Sequence, residues 1–248
     1  MTQLLRGFLY LTLFFQFSLA SSDTSIPSST EKLLNELAQD WQLSETHESI
    51  TIYTRNSENS NFDAFKAVAK IDQSIESIFA VISDPISCPL WVDNCIKSYN
   101  YISHQQEKPK FKNRHGYALS HLPWPFKNRD LIVNIVTTNN PDTNEITITM
   151  SSDKNLISNN DEAVHIIDSH AKYILRPINK NQTELTWMQH TEPAGELPAW
   201  LVNSMIISLP LKSISNLENT AKLKKYQDAM IEFDSQKQIQ GLKFKHVD

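Results

Sequence analysis

One nine-residue segment constrains the fold more than any other part of the chain, residues 122–130 with the sequence LPWPFKNRD. Its two prolines predict an exposed, extended loop, because each fixes its own φ and disfavours helix at the residue before it. The apolar residues 131–136 follow at once and predict a mostly buried strand. Arg129 therefore stands where a solvent-facing loop enters an apolar interior. A guanidinium there needs an anionic partner or a ligand, and that partner could be Asp130 or a group from outside the chain.

The N-terminus predicts the compartment. Arg6 precedes an apolar run over residues 7–17, and small residues follow up to Ala20. This pattern predicts a secretory signal peptide over residues 1–20, cleaved near Ala20 and too short for a stable membrane span. An uncleaved anchor helix is the alternative. Residues 21–29 are predicted to form a disordered leader, and we expect a periplasmic or secreted protein.

Length and charge limit the classes of protein. The 248-residue chain carries 23 basic and 28 acidic residues, a net charge of −5, which argues against a nucleic-acid-binding protein. No second apolar stretch is long enough to cross a bilayer. We expect a single domain over residues 30–234, a polar tail over residues 235–248 and a monomer.

The chain has two cysteines, Cys88 and Cys95. An oxidising compartment favours a disulfide between them. In continuous helix they would lie ~10 Å apart, beyond the ~7 Å limit for a bridge, but Pro89 interrupts the segment and allows a turn. Two buried free thiols are the alternative. We predict no metal site, because no third and fourth ligands occur at useful spacing.

The hydrophobic pattern predicts an α+β fold. Strands are expected at residues 49–55, 62–71, 96–103, 111–121, 130–138, 145–152, 163–175 and 184–191. Helices are expected from Thr30 to about Leu43, from Ser74 to Asp84, and from about Glu196 to Phe233 with a kink at Pro210. A curved antiparallel sheet wrapped around the long terminal helix would leave a ligand cavity between the two.

The sequence lacks the common catalytic motifs. It contains no His-Glu-x-x-His and no Gly-x-Ser-x-Gly, and after residue 20 its glycines are Gly116, Gly195 and Gly241, which excludes a glycine-rich phosphate loop. We therefore predict no catalytic residue and no cofactor.

Two motifs carry a resemblance to a known family. Residues 123–130 match the Pro-aromatic-Pro-x-x-Asn-Arg-Asp signature of START (steroidogenic-acute-regulatory-related lipid transfer) domains, and residues 195–203, GELPAWLVN, match the start of their long terminal helix. Shorter similarities lie at residues 52–55 and 65–66 and at Asp84 and Trp91, so the resemblance spans about residues 41–233. It implies the helix-grip (START/Bet v 1-like) fold around a tunnel that holds one hydrophobic ligand. Leu122 stands where some phospholipid-binding relatives carry tyrosine, so their headgroup specificity is not implied.

The resemblance makes Arg129 the first candidate for a ligand contact, because this arginine can meet a phosphate in phospholipid-binding relatives. A buried ion pair with an internal carboxylate is the alternative. On the predicted strand 184–191, alternate residues share a face, so the cavity is lined either by Trp187, Gln189 and Thr191 or by Thr186, Met188 and His190. Gln189 or His190 would be the polar contact. The expected gate consists of the loop with Trp124 and Phe126 and the residues from Met205 to Leu209.

Together these expectations describe a protein that binds a lipid or sterol non-covalently and touches membranes transiently during exchange. Two alternatives stay open. One is a helix-grip cyclase or hydrolase that uses Arg129 and His190, and the other is a ligand-sensing module whose partner is a protein.

Overall fold

A computed structural model describes residues 40–57, 60–102 and 111–244. Its strands are β1 Gln42–His47, β2 Ile50–Arg55, β3 Ala64–Ile71, β4 Cys95–Tyr101, β5 Asn113–Ser120, β6 Asn128–Asn140, β7 Glu145–Ser152, β8 Ala163–His165, β9 Asp168–Asn179, β10 Gln182–Glu192, β11 Met230–Phe233 and β12 Ile239–Lys243. Its helices are α1 Ile75–Ser83, α2 Cys88–Trp91, α3 Ala199–Ala221 and α4 Lys224–Gln227.

One large sheet dominates the structure, in the order β1-β2-β3-β10-β9-β7-β6-β5-β4. Every neighbouring pair along this path is antiparallel, and the short β8 adds to β6 in parallel. The long C-terminal α3 packs across the sheet, so the predicted α+β helix-grip fold is confirmed.

Alternating apolar residues build the core. Fully buried side chains such as Ile52 on β2, Ala67 on β3, and Leu175 and Leu185 on β9 and β10 face one side of the sheet. Helix α1 begins at the predicted cap, where Ser74 Oγ accepts a hydrogen bond from the Ser77 amide, and almost all of its residues are buried.

The two halves of α3 differ in burial. Its buried residues, among them Ile214, Leu217 and Ala221, all lie from Pro210 onward. The first half, residues 199–209, is half-buried or exposed. The C-terminal half of α3 therefore packs in the core, whereas the N-terminal half is less tightly packed and is the part that can cover a cavity.

The predicted end of the long helix is wrong. Helix α3 stops at Ala221 rather than near Phe233, and β11 and β12 form a hairpin within the following residues. Asp234 Oδ1 stabilises the hairpin turn by accepting bonds from the amides of Gln236 and Gln238. The expected polar tail thus includes β12, where Ile239 is fully buried.

Two further predictions need correction. The expected strand 163–175 is two strands, because β8 ends at His165 and β9 begins at Asp168. The expected helix up to Leu43 overlaps β1, which starts at Gln42, and its earlier residues lie outside the described part of the chain. The remaining predicted strands agree with the structure within two residues at each end.

The predicted signal peptide and leader also lie outside the described residues. Among the helices that are described, none is both long and apolar enough to cross a membrane.

Candidate functional site

A cavity of about 300 Å³ lies between the sheet and the first half of α3. Its wall is mostly apolar. Four of the elements that contribute to it are β5 with Arg114, Gly116, Ala118 and Ser120; β6 with Arg129, Leu131, Val133 and Ile135; β10 with Trp187, Gln189 and Thr191; and α3 with Val202, Met205, Ile206 and Leu209. On each strand these are alternate residues, as expected for one face of a sheet.

Aromatic rings form one side of the cavity. Trp187 is almost completely buried, and its ring centroid lies 5.2 Å from Tyr173, 5.1 Å from Phe65 and 5.9 Å from Trp91. Such ring pairs stabilise the wall beyond their buried area. Burial raises the pKa of the Tyr173 hydroxyl well above its usual range.

The polar side chains of β10 satisfy one another. Trp187 Nε1 donates to Gln189 Oε1 at 3.1 Å, and Gln189 Nε2 donates to Thr191 Oγ1 at 3.1 Å. The structure thus selects the face with Trp187, Gln189 and Thr191 from the two predicted alternatives. It also places Met205 and Leu209, the ends of the second expected gate element, on the cavity wall.

His190 lies on the other face of β10. Its Nε2 is 3.2 Å from the Phe62 carbonyl and 3.4 Å from Glu192 Oε1. Of the two alternatives for the polar contact, Gln189 lies on the cavity wall, and His190 is not among the residues that line it.

Arg129 binds backbone carbonyls rather than a carboxylate. Its Nε donates to Pro193 O at 2.6 Å, and its terminal nitrogens donate to Lys127 O at 2.6 Å and Ala194 O at 2.9 Å. Within residues 40–57, 60–102 and 111–244, no carboxylate oxygen lies within 4.0 Å of this guanidinium. Burial lowers its pKa. In place of the alternative, a buried ion pair, the structure shows a clamp of three carbonyl oxygens.

The backbone beside this clamp is unusual. Ala194 and Gly195 both have positive φ, 55° and 67°. This turn directs the carbonyls of Pro193 and Ala194 at the guanidinium. A side chain at Gly195 would meet Arg129 at 3.4 Å in a backbone conformation that favours glycine. Arg129 thereby joins the loop before β6 to the segment that leads into α3.

Asp130 points to the opposite face of the sheet. Its Oδ1 lies 2.8 Å from His165 Nδ1, and its Oδ2 accepts a bond from the Tyr117 hydroxyl at 3.1 Å. His165 Nε2 lies 3.1 Å from Leu156 O, and Asn160 Nδ2 donates to the Tyr117 hydroxyl at 3.2 Å. Burial, and secondarily Asp130, raises the pKa of Tyr117. This network fastens residues 153–167 to the outer face of β5 and β6.

Arg114 is a second buried arginine on the cavity wall, one that was not predicted from the sequence. Its exposed fraction is 6%. One terminal nitrogen donates to Phe111 O at 2.6 Å and the other to Ser83 O at 3.4 Å. Burial lowers the pKa of this guanidinium to about 10. A signal existed in the sequence, since Arg114, Gly116 and Ala118 alternate on one face of a predicted strand.

Strand register places the two arginines at opposite ends of the cavity. Ser120 is paired with Arg129, and Arg114 is paired with Ile135. Six residues of antiparallel strand span ~20 Å. Small and apolar residues occupy the wall between these ends.

Two exposed tryptophans lie near the Arg129 end of the cavity. Trp124 is 91% exposed in the loop before β6, and Phe126 in the same loop is half-buried. Trp200 is 72% exposed and lies in the first turn of α3, a few residues after Pro193 and Ala194, to which Arg129 is bonded. Two exposed tryptophans thus lie on segments joined by one guanidinium.

The structure joins Cys88 and Cys95 in a disulfide, with a Cα–Cα distance of 5.9 Å. Pro89 and the short α2 provide the turn that continuous helix would not. Cys88 also contributes to the cavity wall. Within the described part of the chain, no group of three His, Cys, Asp or Glu side chains could hold a metal ion.

Comparison with known proteins identifies the family. The START domain family matches residues 29–225. An uncharacterized protein of Pseudomonas aeruginosa is 24% identical over 188 residues, which cover 76% of this chain and 90% of that protein. The structure of a STAR-related lipid transfer protein fragment from Xanthomonas axonopodis is similar with a TM-score of 0.64 and 20% identity, over 74% of this chain and 99% of that one. Human STARD10 is similar with a TM-score of 0.67 and 18% identity, over 82% of each chain. The chain belongs to the START domain family.

Proposed function

We propose that this protein binds one hydrophobic molecule, a lipid or a sterol, non-covalently in the cavity and carries it between membranes. The observation that carries the proposal is the cavity itself, an apolar space between sheet and α3 with an aromatic side and few unpaired polar groups. A hydrocarbon chain gains about 0.8 kcal/mol per buried CH₂ in such a space. Two structural neighbours bear the name lipid transfer protein, from Xanthomonas axonopodis and from human.

The size of the cavity favours a compact ligand. Its volume of about 300 Å³ lies at the lower end of the range of small-molecule sites. A single-chain lipid or a sterol suits this volume better than a phospholipid with two chains.

Exchange requires a way out, and the Arg129 end supplies one. The half-buried first turns of α3 cover the cavity there, and Pro198, the residue before α3, provides no side-chain cap. Trp124 and Trp200 project beside it. Tryptophan favours the interface between membrane and water, so we propose that this end docks on a membrane and that α3 and the Trp124 loop open there.

The sequence pattern of residues 1–20 supports a periplasmic or secreted location. A disulfide between Cys88 and Cys95 fits such a compartment, since disulfides persist under oxidising conditions. Alkylation of the protein, denatured directly from its host without reductant, tests this: no alkylated cysteine supports the location, and two alkylated cysteines contradict it.

A matched pair of substitutions on α3 tests ligand binding. Met205 lies on the cavity wall, and the adjacent Ser204 is exposed. Met205→Trp should fill the cavity and abolish binding of a fluorescent fatty acid and a fluorescent sterol, whereas Ser204→Trp should bind as the wild type does. Equal binding by both variants would contradict the proposal, and turnover of an added ester would indicate an enzyme instead.

A further inference from the structure

The two buried arginines of the cavity differ in how completely their donors are used. Arg129 makes three hydrogen bonds of 2.6–2.9 Å to carbonyls. Arg114 makes one bond of 2.6 Å and one long bond of 3.4 Å. Its guanidinium carbon lies 4.7 Å from the centroid of the Phe111 ring. Arg129 is thus held by the fold, and Arg114 retains N–H groups that these bonds do not use.

No negative charge compensates Arg114 within the described residues. No carboxylate there lies within 4.0 Å of it. The carboxylate of Asp84, next to Ser83, is bound by Lys225 Nζ and by the Tyr226 hydroxyl. A buried cation without a counter-charge is costly, so a protein that keeps one normally uses it.

A hydroxyl without a partner accompanies Arg114. Ser83 is 5% exposed, lies on the cavity wall, and its carbonyl accepts the long bond from Arg114. Its Oγ has no hydrogen-bond partner among the described residues. Buried polar atoms are nearly always paired, and an exception calls for an explanation. A ligand oxygen could accept bonds from this hydroxyl and from the guanidinium together.

The wall that leads away from Arg114 suits a hydrocarbon chain. Along β5 the next cavity residues are Gly116 and Ala118, and β6 adds Leu131, Val133 and Ile135. A side chain at Gly116 would come within 3.0 Å of Ile135 Cδ1, so the glycine keeps this passage open. The passage continues for ~20 Å to Arg129, and the residues of β5 and β6 that line it between the two arginines carry no charge.

We propose that Arg114, assisted by the Ser83 hydroxyl, binds the carboxylate or phosphate headgroup of a single-chain anionic amphiphile whose tail lies along β5 and β6 toward Arg129. This inference rests on the proposed lipid-binding function and names the ligand class of the same cavity. Charge-assisted hydrogen bonds from a guanidinium to an oxyanion are short and about twice as strong as neutral ones. At neutral pH the guanidinium stays protonated, as this role requires.

Ser98 provides a matched control for Ser83. Its Oγ also lies buried on the cavity wall without a partner among the described residues. It is paired with Ala118, however, four residues along β5 from Arg114, or ~13 Å. A headgroup on Arg114 should therefore depend on Ser83 and not on Ser98.

Equilibrium binding of palmitate, palmitoyl lysophosphatidate and hexadecanol to delipidated protein tests the proposal. The three probes share one chain length and differ in headgroup. Wild type should bind an anionic probe more tightly than hexadecanol. Whether palmitate or palmitoyl lysophosphatidate binds more tightly shows whether the site prefers a carboxylate or a phosphate. Arg114→Met should weaken the preferred anionic probe about 10- to 100-fold, or about 1.4–2.8 kcal/mol, and change hexadecanol by less than about twofold. Arg114→Lys should recover part of the loss.

Other outcomes overturn the inference. Arg114→Met could lose the same affinity for the anionic probes and for hexadecanol, or could bind the anionic probes as the wild type does. The wild type could also bind hexadecanol as tightly as it binds the two anionic probes. If Arg114→Met does not fold, Ser83→Ala decides: it should weaken the anionic probe severalfold while Ser98→Ala does not, and equal effects contradict the site. A wild type that binds no probe, and no sterol either, contradicts the proposed function as well.

Discussion

Arg129 and Asp130 are adjacent in the chain, yet they bind groups on opposite faces of the sheet. Arg129 donates to the carbonyls of Pro193 and Ala194 on the cavity side, and Asp130 bonds to His165 and Tyr117 on the outer side. The Asn-Arg-Asp signature therefore fastens two distant segments to one point of β6. Its first role is to hold the rim of the cavity in place.

Replacement of Arg129 should destabilise the fold rather than change ligand choice. Arg129→Met removes three hydrogen bonds from a buried guanidinium, so we expect the free energy of unfolding to fall by about 3 kcal/mol. Arg129→Lys retains the charge but not the planar set of donors, so its free energy of unfolding should lie between those of Arg129→Met and the wild type. Urea unfolding measures both. Unchanged stability together with selective loss of anionic ligands would show that Arg129 is a headgroup contact instead.

Replacement of Asp130 should loosen the outer segment. Asp130→Asn removes the buried carboxylate that Tyr117 and His165 contact, and we expect the weaker hydrogen bonds to lower the free energy of unfolding by about 1–3 kcal/mol. We expect hydrogen exchange to accelerate selectively in residues 153–167. Asp161→Asn, an exposed change in the same segment, is the control. Equal exchange in the two variants would count against the role of the network.

Removal of Trp124 should slow transfer without weakening binding. Trp124 is 91% exposed at the Arg129 end, and Ile178 is 44% exposed near the hairpin between β9 and β10, at the other end of the sheet. Trp124→Ala should weaken vesicle binding about tenfold, or about 1.4 kcal/mol, and slow ligand delivery accordingly. Ile178→Ala should have little effect. A similar defect in both variants, or none in either, would exclude this end as the docking surface.

Tyr173 should contribute to alkaline unfolding. Burial raises the pKa of Tyr173 in the folded state. Above about pH 10 the Tyr173 hydroxyl therefore ionises in the unfolded chain but keeps its proton in the folded protein. Stability from this group is thus complete below about pH 10 and falls as pH rises further. Tyr173→Phe should unfold with nearly wild-type free energy at about pH 7 and with a flatter decline above about pH 10. A variant that declines as steeply as wild type would contradict this assignment.

The fold was largely predictable because most of its elements have a local signal. The strands alternate between apolar and polar residues, and Ser74 marks the start of α1. The hairpin of β11 and β12 had no such signal. Asn139, about 100 residues earlier, holds it by accepting a bond from the Ile239 amide and donating to the Lys237 carbonyl, and sequence periodicity does not report such contacts.

The site was predictable in position and less so in detail. Alternation grouped Trp187 with Gln189, but which face of β10 meets the cavity depends on the packing of α3. Two of the three carbonyl partners of Arg129 lie 64 and 65 residues away, beside residues with positive φ, beyond any local pattern. Arg114 was missed because a single arginine in a strand usually faces solvent, whereas here it contacts the Ser83 carbonyl at the end of α1, 31 residues earlier in the chain.

Native mass spectrometry of protein purified from its own host tests the central claim most directly. The account predicts one intact hydrophobic molecule bound to each chain, released when the protein is denatured and absent from Met205→Trp. A wild-type protein with no bound molecule that also takes up no lipid or sterol from vesicles would contradict it.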